Sequence, residues 1–513
     1  MLDRRILALV LSIGVFSGAR ALAAEPAVGE KATAADATSA DEASATPSEG
    51  EATADASEAE DESGAEGPGL FEQSLSGGDG SSTAVEGGVA GLSLNGYVRG
   101  DAFIGRVPDA RQADLKAAYG ELALVARTEK GSRGDGYAEA RIHYGLQGDQ
   151  RMSTVDLREA YVNLYLGRLD LRVGKQIIVW GRADLFNPTN NLTANDMRVR
   201  SPIEDDRRVG NVGVRANWRL APIRVEGVWM PSYVATELPT VSMPQYVSFG
   251  TPVYPSPSHQ NWLEALRVHL EMPSFEMSVS YLYGYSVLPG LTLTSLTLSE
   301  NPSVVIARTA YKHHVAGFDF STTLADYLGV RLEAAYRRPV DYQNLINAPV
   351  PDAQYAIGLD HTFGSVMVIV QYLGRYAFDW EKKRGPSADL DPGQLVVDDP
   401  DLIESQTPTF RKTINSELSR INQMIFNQTE QIQHLITARV EWLTLHEALS
   451  LSAVGMVNAS TKEWLLMPKL GFHISDQIMT YVGAEVGSGP HGTLLGLVDK
   501  TMSAGYVELR STF

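Results

Sequence analysis

The stretch Tyr506-Val-Glu-Leu-Arg-Ser-Thr-Phe513 alternates in character. Val507, Leu509 and Phe513 fall on one parity, and Tyr506, Glu508 and Arg510 on the other. A period of two belongs to a β-strand, whose successive side chains point to opposite faces. One face of this strand is apolar and the other carries charge of both signs. Such a strand suits a boundary between oil and water, and the fold turns on whether the rest of the chain repeats it.

It repeats from about residue 92 onward. Period-two segments occur at roughly 93–104, 115–127, 136–147, 154–166, 168–178, 207–219, 222–232, 260–272, 274–287, 304–320, 328–338, 353–363, 365–376, 433–443, 446–458, 464–475, 477–487 and 502–513, which makes 18. A membrane-spanning strand needs about 9–11 residues. The connections also alternate. Those at 167–168, 221–222, 273, 324–327, 364–365, 444–445 and 476 are short; those at 179–206, 233–259, 288–303, 339–352, 377–432 and 488–501 are long. Short turns on one side and long loops on the other describe an outer-membrane barrel, whereas a soluble sandwich has no cause to sort its loops this way.

The expected fold is therefore all-β: a transmembrane antiparallel β-barrel over residues 91–513. It has about 18 strands, with 16 as the alternative because 304–320 is overlong for one strand. A charge facing lipid costs about 2–4 kcal/mol at mid-bilayer, so the charged parity must face the lumen. That assigns Arg172, Arg224, Glu226, Arg331, Glu333 and Arg337 inward. Rings of such residues set ion preference; mixed signs can equally pair off as structural salt bridges. Tyr and Trp near strand ends, among them Trp218, Trp262, Trp442, Trp464, Tyr281 and Tyr283, suit the membrane interfaces.

The N-terminal region reads differently. Arg4-Arg5, an apolar run from Ile6 to Phe16 and Ala21-Leu-Ala-Ala24 form a secretory signal peptide over 1–24. Residues 25–90 hold 16 acidic residues and one Lys. This acidic periplasmic tail is expected to be disordered, a spacer or a contact for a basic partner. The acidic balance argues against nucleic acid as a partner. There is no Cys, hence no disulfide framework. No G-x-S-x-G, H-E-x-x-H or P-loop occurs, so neither an enzyme nor a cofactor or metal site is expected. The acidic run from Asp389 to Glu404 has incomplete spacing for a Ca²⁺ loop and reads as solvated.

One loop segment breaks the β pattern. Ile414, Leu418, Ile421 and Ile425 recur at helical spacing within 408–431, with Thr407 as the expected cap and Pro408 at the first helical position. An amphipathic helix in the seventh outer loop could plug or gate the lumen, or pack its stripe on neighbouring loops.

The least generic stretch is Gly174-Lys-Gln-Ile-Ile-Val-Trp-Gly-Arg-Ala-Asp-Leu-Phe-Asn-Pro-Thr-Asn-Asn191. With its surroundings, about Leu157 to Asp206, it resembles a segment of porin-like bacterial outer-membrane proteins, and the barrel pattern extends that likeness over 92–513. In porins the third loop folds into the lumen and narrows it. The resemblance implies pore-constriction candidates Arg182, Asp184, Asn187, Asn190, Asn191, Asp196, Arg198 and Arg200. The terminal aromatic Phe513 resembles the signal read by the barrel-assembly machinery. The implied function is a channel through which small hydrophilic solutes diffuse; the alternative is a structural or export-associated barrel with a plugged lumen. The implied surroundings are outer-membrane lipid and lipopolysaccharide, with a homo-oligomer as an option.

Overall fold

The computed structural model describes residues 91–106, 113–147, 150–238, 246–299, 302–325, 327–383 and 400–513. The signal peptide and the acidic tail fall outside these residues, as does most of the 389–404 acidic run.

Eighteen antiparallel strands form one closed sheet. They are β1 (Leu92–Arg106), β2 (Ala113–Thr128), β3 (Gly134–Gln147), β4 (Gln150–Leu166), β5 (Leu169–Gln176), β6 (Asn211–Leu220), β7 (Ile223–Met230), β8 (Leu263–Met272) and β9 (Phe275–Tyr285). They continue as β10 (Lys312–Leu324), β11 (Leu328–Pro339), β12 (Asp352–Phe363), β13 (Val366–Ala377), β14 (Ile432–Thr444), β15 (Leu449–Asn458), β16 (Glu463–His473), β17 (Ile478–Ser488) and β18 (Ala504–Thr512). Each strand pairs with its sequence neighbours, and β1 pairs with β18 from Tyr97↔Thr512 to Gly105↔Ala504. The ring therefore leaves no free edge, the condition a sheet must meet inside a bilayer.

Parity decides the faces. On β18, Val507 and Leu509 are 50% and 53% exposed on the outside, while Tyr506 and Glu508 are 6% and 0% exposed on the inside. Leu466, Val482, Val370, Ile357 and Val440 continue the outer apolar surface. Strand tilt makes the membrane surface cross the ladder rows. The outer aromatics accordingly step from Tyr281 on β9 through Tyr336 on β11 and Tyr376 on β13 to Trp464 on β16, all exposed.

Three sequence expectations need correction. The segment 304–320 is two elements. Ser303–Thr309 pairs antiparallel with Gly290–Thr297 and parallel with Val247–Phe249 in a separate three-stranded sheet; only from Lys312 does the chain enter the wall. Both halves alternate, and alternation alone does not tell wall from loop sheet. The sixth wall strand starts at Asn211, not 207, because Arg208–Val209 pairs with Ala194–Asn195 inside the loop.

The helix, α1, runs Pro400–Ile425, with Pro408 inside it. Thr407 is not its cap; its hydroxyl donates back to the Ile403 carbonyl at 2.6 Å. Beyond Ile425 the helix yields to Asn427, which takes a left-handed φ of 51°. A second helix, α2 (Leu494–Met502), lies between β17 and β18.

The outer surface sets a clear expectation. Val482→Arg, at the middle of β17's lipid face, is expected to cost about 2–4 kcal/mol in reversible unfolding from lipid vesicles. Val482→Leu is expected to be close to neutral.

Candidate functional site: the third outer loop in the lumen

The loop between β5 and β6, residues 177–210, enters the lumen instead of standing on the rim. Its first turn depends on Gly181, at φ +99°, where a Cβ would overlap the Asn187 side-chain amide. The loop is seated partly by apolar contact: Ile178, Trp180 and Leu192 are buried against the inward-facing Val228, Met230, Ala265, Leu282, Val315 and Ala335 of β7–β11. Trp180 Nε1 also donates to Glu226 Oε1 at 3.0 Å, and the Arg215 guanidinium holds the same oxygen at 2.7 Å.

Beyond Trp180 the loop hydrogen-bonds across the barrel. Glu333, on β11, accepts the backbone N–H groups of Arg182 (3.0 Å), Ala183 (3.0 Å) and Thr189 (2.6 Å), and the Thr189 hydroxyl at 2.8 Å. A buried carboxylate is costly unless its lone pairs are filled, and here the loop backbone fills them. The Arg182 side chain reaches Asp319 at 3.0 Å and also pairs with Glu276. Asp184 pairs with Arg439 on β14 at 3.1 Å, and its N–H donates to Gln371 on β13 at 2.8 Å.

The far end of the loop meets the opposite wall. Asp206 bridges Arg99 (2.6 Å) and Arg141 (2.7 Å), and accepts from the Ser201 hydroxyl. Burial alone would push its carboxyl up, but the two guanidiniums outweigh that and hold it well below the usual carboxylate range. A depressed folded-state pKa contributes stability at neutral pH that is lost as pH falls. Arg158 pairs with Asp205, and Arg207 with Glu485 on β17 at 3.4 Å.

The sequence-derived candidates thus divide. Arg182 and Asp184 reach the wall. Asn187, Asn190 and Asn191 serve the loop itself: Asn190 N–H donates to the Asn187 carbonyl at 3.2 Å, and Asn191 Nδ2 to the Pro188 carbonyl at 2.9 Å. Asp196 and Arg198 pair with each other at 2.7 Å. The Arg200 guanidinium donates to the Met502 carbonyl of α2 at 3.2 Å. Sequence reading missed Trp180, Asp205, Asp206 and Arg207. The signal available for the acidic pair was its position opposite a wall column holding Arg99, Arg141 and Arg158.

Of the lumen candidates, Glu226 and Glu333 hold the loop, and the four arginines bond wall partners, Arg331 also donating to the Arg182 carbonyl of the loop at 3.5 Å. Arg172 donates to Asn163 at 2.9 Å, Arg224 to Glu271 at 2.8 Å, Arg331 pairs with Asp360 at 3.2 Å and Arg337 with Asp352 at 2.6 Å.

The helix candidates lie elsewhere. Ile414, Leu418 and Ile421 of α1 are buried with Leu291, Val304 and Ile306 of the three-stranded loop sheet, and Ile425 is half-buried beside them. Asn422 ties this unit down, its side chain accepting from Leu291 N–H at 2.7 Å and donating to the Ile346 carbonyl at 2.7 Å.

Residues 121–391, more than half of the chain, match the family described as "Protein of unknown function (DUF1302)". The chain belongs to this family. No functionally curated protein matches it. Among solved structures it is similar to OccK11 (OpdR) of Pseudomonas aeruginosa, at 10% identity over 82% of this chain and 96% of that one, with a TM-score of 0.43. It is also similar to OccAB2 of Acinetobacter baumannii and to a BenF-like porin from Pseudomonas fluorescens Pf-5; each shows 10% identity, covers 82% of this chain and 98% of the other, and scores 0.47. Likenesses this remote leave the reading of the lumen to its own geometry.

Glu333 is the loop's most heavily used anchor. Glu333→Ala strands three backbone donors, and unsatisfied buried groups cost about 1–3 kcal/mol each. Amide exchange at Arg182, Ala183 and Thr189 should speed up by at least roughly tenfold, with exchange in β1–β4 unchanged. Unchanged protection at those three amides would refute the anchoring role.

Proposed function

We propose that this protein is an outer-membrane channel of porin type, in which small water-soluble solutes diffuse through a charged lumen narrowed by the 177–210 loop. The observation that carries the reading is the loop's contact map. Hydrogen bonds and ion pairs tie it to β14 at Arg439 and to β17 at Glu485, while β16 is bonded at Glu463 by the Leu495 N–H of α2, at 2.6 Å. Three strand spacings separate β14 from β17, about 14 Å along the wall. The solute path would run through that window, bounded by Asp184 and Arg207 on the loop side.

The closed ring and its apolar exterior support residence in a bilayer, with outer-membrane lipid and lipopolysaccharide around the girdle. In this reading Phe513 is the residue that the barrel-assembly machinery recognises. The helix α1 acts as a fixed support, because swinging it into the lumen would expose the Ile414, Leu418 and Ile421 stripe.

The test is planar-bilayer recording on the purified protein. The expected result is steady single-channel conductance. Replacing 182–200 by a short Gly/Ser linker should raise it severalfold, and Asp184→Ala should shift the reversal potential in a salt gradient. Negligible conductance from both the intact and the loop-replaced protein would favour the plugged, structural or export-associated barrel.

A further inference from the structure

The seam between β16 and β17 has a break in its ladder. Pairing runs from Trp464↔Ser488 to Leu466↔Val486, skips Met467 and Pro468, and resumes at Lys469↔Gly483. The register is the same on both sides of the break, so no residue is inserted and it is not a β-bulge. β15 stays paired with β16 through Met467 and Pro468, and β18 with β17 through Ala484 and Glu485. The described wall seams otherwise depart from regular pairing only at register shifts after Phe103 and Glu139.

Proline accounts for the break. It has no N–H to give, and within sheets it belongs at edges and bulges. Pro468 is at neither: it stands mid-strand between two neighbours, exposed on the same face as Leu466 and Leu470. Lipid offers no donor in its place. The ends of the seam are secured. At the outer end α2 bonds Glu463 through the Leu495 N–H at 2.6 Å, and at the other end Phe472↔Thr480 and His473↔Met479 are paired. The weak point is therefore confined to mid-wall, about 10 Å from the Leu466 row to the Lys469 row.

Both sides of the break are apolar. Leu466, Leu470, Val482 and Val486 are exposed to lipid. Facing the lumen, Leu465 and Met467 are half-buried, and β17 opposes them with Gly483, Gly487 and Glu485, whose carboxylate Arg207 holds at 3.4 Å.

We propose that this seam is a lateral exit, through which small uncharged apolar molecules pass from the lumen into the bilayer. The proposal rests on the lumen being a solute path. For such a molecule hydrocarbon lies downhill from water, whereas the lumen beyond is lined with charge. The strands part at Pro468 more readily than elsewhere because fewer hydrogen bonds break there. Met467 lies at the entrance, and its unbranched side chain adapts to the passing solute.

The chain has no Cys, so an introduced pair can lock one seam at a time. The probe is phenylnaphthylamine, an uncharged fluorophore that brightens in hydrocarbon, added to intact cells with and without the protein. Wild type should speed its uptake severalfold. Pro468→Ala, which restores the N–H, should slow that uptake at least roughly threefold. The oxidised Leu466→Cys, Val486→Cys variant should fall to the level of cells lacking the protein, and reduction should restore it. A disulfide from Leu451→Cys and Leu470→Cys, on the intact β15–β16 seam, should leave uptake unchanged. Wild-type uptake by Pro468→Ala or by the oxidised Leu466→Cys, Val486→Cys variant, or equal loss with the β15–β16 disulfide, overturns the exit. Bilayer recordings on the purified variants keep the two claims apart. Conductance without fluorophore uptake sinks the exit alone; uptake that follows the β16–β17 disulfide, without conductance, supports the exit and sinks the channel.

Discussion

Every backbone N–H and C=O in the wall must find its partner within the wall, because lipid offers none. The pairing of β1 with both β2 and β18 meets that demand. Closure fixes which parity of each strand meets lipid and which meets the lumen, since a slip of one residue would turn a whole charged column outward. The inside of the ring therefore collects what the outside cannot hold: Arg99, Asp101, Glu121, Glu139, Arg141, Arg267, Asp319 and Glu333 are all buried there.

A lumen so loaded creates its own obligations. A buried carboxylate or guanidinium left without a partner costs more than a surface pair gains. The wall answers some of these internally, as in Arg267 to Asp319 at 2.9 Å and Arg224 to Glu271 at 2.8 Å. The 177–210 loop answers others. Its backbone N–H groups fill Glu333, Trp180 helps to fill Glu226, and Asp206 sits between Arg99 and Arg141. Loop and wall are thus complementary, and the loop's course is set by where the wall presents groups to satisfy.

Parity and loop rhythm made the barrel legible in the sequence, because each is a local property repeated many times. Where one signal served two structures, reading failed. Ser303–Thr309 alternates as a wall strand does, yet pairs in the loop sheet. The helix was visible from Ile414 to Ile425, but its start was not: Pro408 looks like a first-turn residue, and the chain is already helical from Pro400. For the loop, Arg182 and Asp184 could be named, but their partners could not. Arg182 lies 137 residues from Asp319, and Asp184 lies 255 from Arg439. No spacing rule reaches so far; such partners follow from which strands the closed ring sets across from the loop.

The same logic locates the proposed path. Beta-strands 15 and 16 turn Val454, Met456, Leu465 and Met467 inward over the outer half of the lumen, and these side chains have no polar demand for a loop to meet. A loop steered by unmet hydrogen bonds and charges has little reason to approach them. Its apolar seat is already taken up on β7–β11, where Ile178, Trp180 and Leu192 are buried. The outer end of this sector is met instead by α2, whose Leu495 N–H bonds Glu463 of β16 at 2.6 Å, and Met456 is buried there.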